Sequence, residues 1–102
     1  MKFFHALLLA CALTSPLSAQ EHNVRPPNGL VPDARTAIAI AVAVWTPIYG
    51  EKQIASEQPY VATLANGKWS VQGSLPKGTV GGVATAVIAQ SDGQVLRVSH
   101  GK

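Results

Sequence analysis

Very few residues of this chain could carry chemistry. Its proton-transferring and metal-binding side chains are three histidines, one cysteine and five acids among 102 residues. Nucleophilic catalysis needs a nucleophile, a base and a group that orients the base, all in contact. His22 sits in a Pro-containing polar stretch and His100 lies two residues from the end. No G-x-S-x-G or comparable motif links a serine to either of them. His100 reads as a surface histidine. Glu51 and Glu57 are the one pair of neighbouring acids that could do paired-carboxylate work, and they read as solvated charges flanking a polar loop. Gly78-Thr79-Val80-Gly81-Gly82 lacks the Lys-Ser/Thr of a phosphate-binding loop and reads as a bend between strands. Trp45, Tyr49 and Trp69 could form an aromatic binding surface, but their spacing puts them on inward faces, as core.

Metal sites need convergent His, Cys, Asp or Glu, and the chain has no such cluster in sequence. Cleavage after Ala19 would create the terminus Gln20-Glu21-His22. A histidine third from a free amine can wrap Cu(II) or Ni(II) in square-planar nitrogen. An N-terminal glutamine often cyclises and loses that amine, so no metal or cofactor is expected. The chain reads as a non-enzyme.

The cut at Ala19 rests on an export signal. Lys2 supplies the positive start, residues 3–13 are apolar except for His5, and Pro16-Leu17-Ser18-Ala19 offers a small residue before the cut. That apolar run is too short to span a bilayer, which takes about 20 residues. Leu8-Leu9-Ala10-Cys11 resembles a lipoprotein box, but cleavage there would leave too short a signal. Loss of residues 1–19 removes Cys11, so the mature chain can form no disulfide and packing alone must hold it. The expected location is the periplasm or the medium. The mature charge is seven basic residues (Arg25, Arg35, Lys52, Lys68, Lys77, Arg97, Lys102) minus five acidic (Glu21, Asp33, Glu51, Glu57, Asp92), or +2. The cations are scattered singly rather than clustered, unlike those of a nucleic-acid binder.

Residues 20–32 contain three prolines and read as an extended, mobile polar leader. A single domain should occupy residues 33–102. Asp33 is a good helix N-cap. Ile38, Ala41, Val42, Trp45, Ile48 and Tyr49 then recur on one helical face. Ala39 and Ala43 opposite them are also apolar, which predicts a broadly buried helix. Pro47 predicts a kink, or a fresh turn capped by Thr46, and Gly50 a stop.

Strands follow. Asn66-Gly67 between residues 60–65 and 68–73 is a strong hairpin signal. A two-residue turn pairs Leu64 with Trp69 and Ala62 with Val71, setting apolar against apolar. Residues 83–90 and 94–100 make the third and fourth strands. Their register is open between two turns. A two-residue turn pairs Val87 with Val98. A three-residue turn with a glycine bulge pairs Ile88 with Leu96 and Ala86 with Val98, and is preferred because it turns Arg97 outward. The expected architecture is α+β: one long N-terminal helix packed across a four-stranded antiparallel meander.

Several stretches resemble a family of bacterial immunity proteins with a fold like that of nuclear transport factor 2. They are Val44-Trp45-Thr46-Pro47-Ile48-Tyr49-Gly50-Glu51 with Gln53-Ile54, then Gly67-Lys68-Trp69-Ser70-Val71, Gly73 and Leu75-Pro76-Lys77-Gly78. Gly81-Gly82-Val83-Ala84 and the terminal Gly93 to Lys102 segment, ending Ser99-His100-Gly101-Lys102, complete the set. The resemblance implies a non-catalytic antitoxin whose partner is a cognate protein toxin. The chain is shorter than a full fold of that name, so the layout also looks similar to cystatin-like modules. Within these stretches Trp45 and Tyr49 read as core and Pro47 and Gly50 as turn-shaping. Trp69, Gly82, His100 and Gly101 likewise read as residues of the fold, which leaves toxin contacts to the loops. Two rival readings are a secreted protease inhibitor, lacking the cystatin Q-x-V-x-G loop, and an envelope protein binding a small ligand between helix and sheet.

Overall fold

The computed structural model describes residues 21–102. The expected signal peptide, its Cys11 and Gln20 lie outside the described residues. Within them, helix α1 (Ala34–Tyr49) and the short helix α2 (Glu51–Ala55) precede strands β1 (Val61–Ala65), β2 (Lys68–Gln72), β3 (Ala84–Ala89) and β4 (Val95–His100). The strands form one antiparallel sheet in the order β1-β2-β3-β4. A helix layer on a four-stranded meander is the architecture expected from the pattern of the sequence.

Helix α1 begins where Asp33 accepts from the Thr36 amide at 2.8 Å and the Thr36 hydroxyl at 2.7 Å, filling an orphan-donor position. It runs unbroken through Pro47. The expected fresh turn at Thr46 does not form: the Thr46 hydroxyl instead donates to the Val42 carbonyl at 2.7 Å. Pro47 is tolerated because it falls in the last turn, where few further hydrogen bonds are at stake. Gly50, at φ +96°, ends the helix and donates to Thr46 O at 2.9 Å.

The stripe that meets the sheet is Ala37, Ala41 and Trp45, all fully buried. It faces Trp69, Val71, Ala84, Ala86 and Ile88, and Ile54 of α2 joins them. Small residues on both sides let the layers approach, and the Trp45 indole fills the space they leave. The broad burial expected of α1 is not found. Ala39, Ala43 and Pro47 are exposed, and Ile48 is 57% exposed, because only one sheet face is available and nothing among the described residues covers the other side of the helix.

The first hairpin has the expected register, with Leu64 opposite Trp69 and Ala62 opposite Val71. Its turn residues Asn66 and Gly67 both have positive φ (50° and 74°), as a turn matched to the strand twist requires. In the second hairpin Ala86 faces Val98, as preferred, but Ile88 faces Val95 instead of Leu96, with a bulge between Val87 and Ile88. The turn is longer than three residues: the Ala89 amide donates to Gln94 O at 2.8 Å. Its Gln90 and Ser91 carbonyls accept from the Val31 and Leu30 amides, at 3.0 Å each. The end of the leader therefore holds this turn open. Val31 itself is core, and its carbonyl accepts from Trp69 Nε1 at 2.8 Å.

Candidate functional site

One cluster of titratable side chains stands out, and its centre is a residue expected on the surface. Glu57 is 2% exposed and is the one buried charged residue among those described. Three donors converge on its carboxylate. The Ala84 amide reaches Oε1 at 2.7 Å, and Gln53 Nε2 and His100 Nε2 reach Oε2 at 2.9 and 2.8 Å. The reading of Glu51 and Glu57 as solvated loop charges thus fails for Glu57. Most of the intervening residues are helix α2, and the turn that follows it, where the Glu57 amide donates to Ile54 O at 3.0 Å, brings Glu57 beside Gln53.

The rest of the fold is built around that carboxylate. Glu57 O accepts from the Ser74 amide at 2.7 Å, which holds the chain after β2 against it. A Cβ at Gly73 would lie 2.5 Å from Glu57 Oε1, so only glycine fits there. The Tyr49 ring packs on the His100 ring with centroids 5.0 Å apart. Below His100, Gly101 and Gly82 bring their backbones together, so that a Cβ on Gly82 would overlap the Gly101 backbone. Gly82→Ala must therefore push the end of β4 away from β3. The expected cost is about 1–3 kcal/mol, read as a lowered midpoint in urea unfolding.

His100 is not the surface histidine the sequence suggests; its side chain is 22% exposed. Nδ1 faces Gly101 O at 2.7 Å and Nε2 faces Glu57 Oε2 at 2.8 Å. A carbonyl and a carboxylate are both acceptors, and an imidazole that donates at both nitrogens is an imidazolium. When the ring is protonated, both of its nitrogens find acceptors within the protein. In that state the ring clasps Gly101 and Glu57 together and carries no free lone pair.

The titration directions agree. Burial pushes the Glu57 carboxyl up, but the Ala84, Gln53 and His100 hydrogen bonds and the His100 charge outweigh it and leave its pKa below the ordinary 4.5. The Gly101 carbonyl, then the Glu57 carboxylate, raise His100 above the ordinary 6.5 against the opposing effect of burial. A lowered acid stabilises fully above its unfolded value and loses that stabilisation as pH falls through its folded value. A raised histidine stabilises fully below its unfolded value and loses that stabilisation as pH climbs through its folded value. The clasp is therefore strongest between about pH 4.5 and 6.5. Thermal midpoints measured across pH should fall on both sides of this window, and His100→Gln should flatten the alkaline limb.

The other residues singled out in the sequence hold the same framework. Trp45 Nε1 donates to Thr85 O at 3.2 Å, and its ring meets Tyr60 at 5.8 Å. Trp69 is 7% exposed and tied to Val31. Pro47 and Gly50 close α1 on the solvent side. Among the described residues no group of three or more His, Cys, Asp or Glu could hold a metal, and no helix is long and apolar enough to cross a membrane. A cleft of about 720 Å³ lies between the leader and the strand turns, lined by Arg25, Asn28, Gly67, Gln90 and Asp92 among others. It is not the hollow between helix and sheet that a small-ligand binder of this layout would use.

Glu57 and Ala84 were missed because no local spacing announces them. Glu57 meets His100 across 43 positions. The available signal was Gln53 and Glu57 at helical spacing, together with a histidine in a strand that the apolar pattern already paired. No curated protein and no solved structure matches the chain. The family model described as NTF2 fold immunity protein matches residues 36–102. That span runs from the first turn of α1 to the end of the chain and takes in Gln53, Glu57, Ala84 and His100, so the chain belongs to the family of NTF2 fold immunity proteins.

Proposed function

We propose that this protein is exported and neutralises a toxin by binding it, without chemical turnover. The family match over residues 36–102 carries the reading. The Glu57–His100 pair supports it, because the one buried charged residue and its histidine partner are spent on holding β3 and β4 to the turn after α2. Export is supported by Lys2, the apolar residues 3–13 and the small residue Ala19, and it places the neutralised toxin in the envelope or outside the cell.

The test is protection of living cells. The protein is expressed with and without residues 1–19 in cells challenged in turn by candidate toxins, including any product of a neighbouring gene that kills them. Protection by the full chain and none by the truncated form supports both binding and export. Protection by the truncated form alone would contradict export. Folded, exported protein that gives no protection would contradict the immunity reading itself.

A further inference from the structure

The connection between β2 and β3 is longer than the sheet requires, and it is clamped at both ends. The Gly73 amide donates to Ala84 O at 2.9 Å, so the two strands are already joined there and a two-residue turn could close them. Residues 74–83 stand in its place. Both feet of this loop rest on Glu57: the Ser74 amide donates to its carbonyl and the Ala84 amide to its Oε1, at 2.7 Å each. Beyond them, residues 75–81 are all exposed. Their only hydrogen bonds among the described residues run from the Thr79 amide and hydroxyl to Pro76 O, at 3.1 and 2.7 Å. The amide bond closes a tight turn, with Lys77 at its corner and Gly78, at φ +81°, as its third residue. Val80 is 94% exposed, the most exposed large apolar side chain among the described residues, and Leu75 is 42% exposed.

Such a loop adds nothing to the core and keeps a valine in water. A surface loop with adjoining ends, longer than its strands need, is a common carrier of function, and binding residues sit on loops that a rigid scaffold positions. We propose that residues 75–81 are the surface with which this protein contacts its toxin, Val80 as the apolar anchor and Lys77 as the charged contact. The assignment rests on the immunity reading above and names its contact surface. The chemistry of the partner follows from the loop. No acidic residue lies between Glu57 and Asp92, the Glu57 carboxylate is buried and paired, and Asp92 stands beyond the far end of β3. A Cβ on Gly81 would lie 3.8 Å from the Lys102 carbonyl group, which brings the segment carrying Lys102 beside the loop. The complementary surface is a shallow apolar recess with an acidic rim. The tight turn and the Glu57 clamp order the loop before it meets its partner, which lowers the entropic cost of binding.

Three variants test this, each bound to the purified toxin against which the full chain protects cells. Lys77→Glu and Val80→Asp alter exposed side chains on the loop. Both should keep the wild-type midpoint of urea unfolding and weaken toxin binding by about 10- to 100-fold. Lys68→Glu makes the same charge change at an exposed position at the other end of β2, beside the first hairpin turn. It should bind the toxin as wild type does.

Wild-type affinity in either loop variant overturns the assignment while the immunity reading stands, because the full chain still protects. Equal weakening by Lys68→Glu also overturns it, since net charge and not the loop would then set the affinity. A lowered unfolding midpoint for Val80→Asp contradicts the free-standing loop tip on which the assignment is built. A full chain that protects against none of the candidate toxins sinks the immunity reading, and the contact surface falls with it.

Discussion

Glu57→Ala leaves the domain largely unfolded at room temperature. The carboxylate is 2% exposed and takes hydrogen bonds from Ala84 N, Gln53 and His100. Its removal strands a buried amide, which alone costs about 1–3 kcal/mol, and deprives a charged imidazole of its counter-ion. Breaking a buried pair from one side costs about 3–5 kcal/mol, against the roughly 5 kcal/mol that a domain this small has to lose. His100→Ala is milder, because the ring is partly exposed and the carboxylate keeps two of its three donors. Combining Glu57→Met with His100→Leu removes both charges, yet it still leaves the Ala84 amide without a partner, so the pair of substitutions does not recover wild-type stability. Urea unfolding of the four proteins reads this directly. Equal stability for Glu57→Ala and wild type would mean that the carboxylate is not the hub described.

Trp45→Ala is the second large loss. The ring is fully buried where α1 crosses the sheet, and it is bonded to Thr85 O and packed on Tyr60. Aromatic truncation in a core costs about 3–5 kcal/mol, enough to melt this domain. Trp45→Phe keeps most of the packing and gives up the indole N–H bond, at about 1–2 kcal/mol. Far-ultraviolet circular dichroism during urea titration separates the two. A Trp45→Ala chain that stays folded and loses only its partner would return Trp45 to the binding-surface reading.

Much of this fold was legible because its signals are local. Asp33 before an apolar period marks the start of α1, and Gly50 marks its end. Asn66-Gly67 between alternating runs fixes the first hairpin to the residue, since slipping it by one would turn Trp69 and Val71 to solvent. The remaining features depend on contacts that sequence spacing does not encode. The β3–β4 turn is bonded to Leu30 and Val31, some 60 positions away, and a bulge beside it sets Ile88 against Val95 rather than Leu96. Glu57 looks like any loop acid until α2 and β4 close over it. The apolar outer side of α1 looked like core because a lone chain offers no other way to cover it.

The family stretches acquire a physical meaning from this arrangement. Tyr49, Gln53, Gly73, Gly82, Ala84, His100 and Gly101 come from four separate segments and meet around one carboxylate. These residues fasten the last strand to the body of the domain. They mark how the immunity domain is held together.

The central claim is that this chain acts by occupying its partner, not by altering it. Titrating a fixed amount of toxin with the purified protein and measuring residual toxin activity tests this most directly. Binding predicts a loss that is proportional to added protein, complete near equivalence and constant with time. Substoichiometric protein that inactivates the toxin progressively over hours would contradict it.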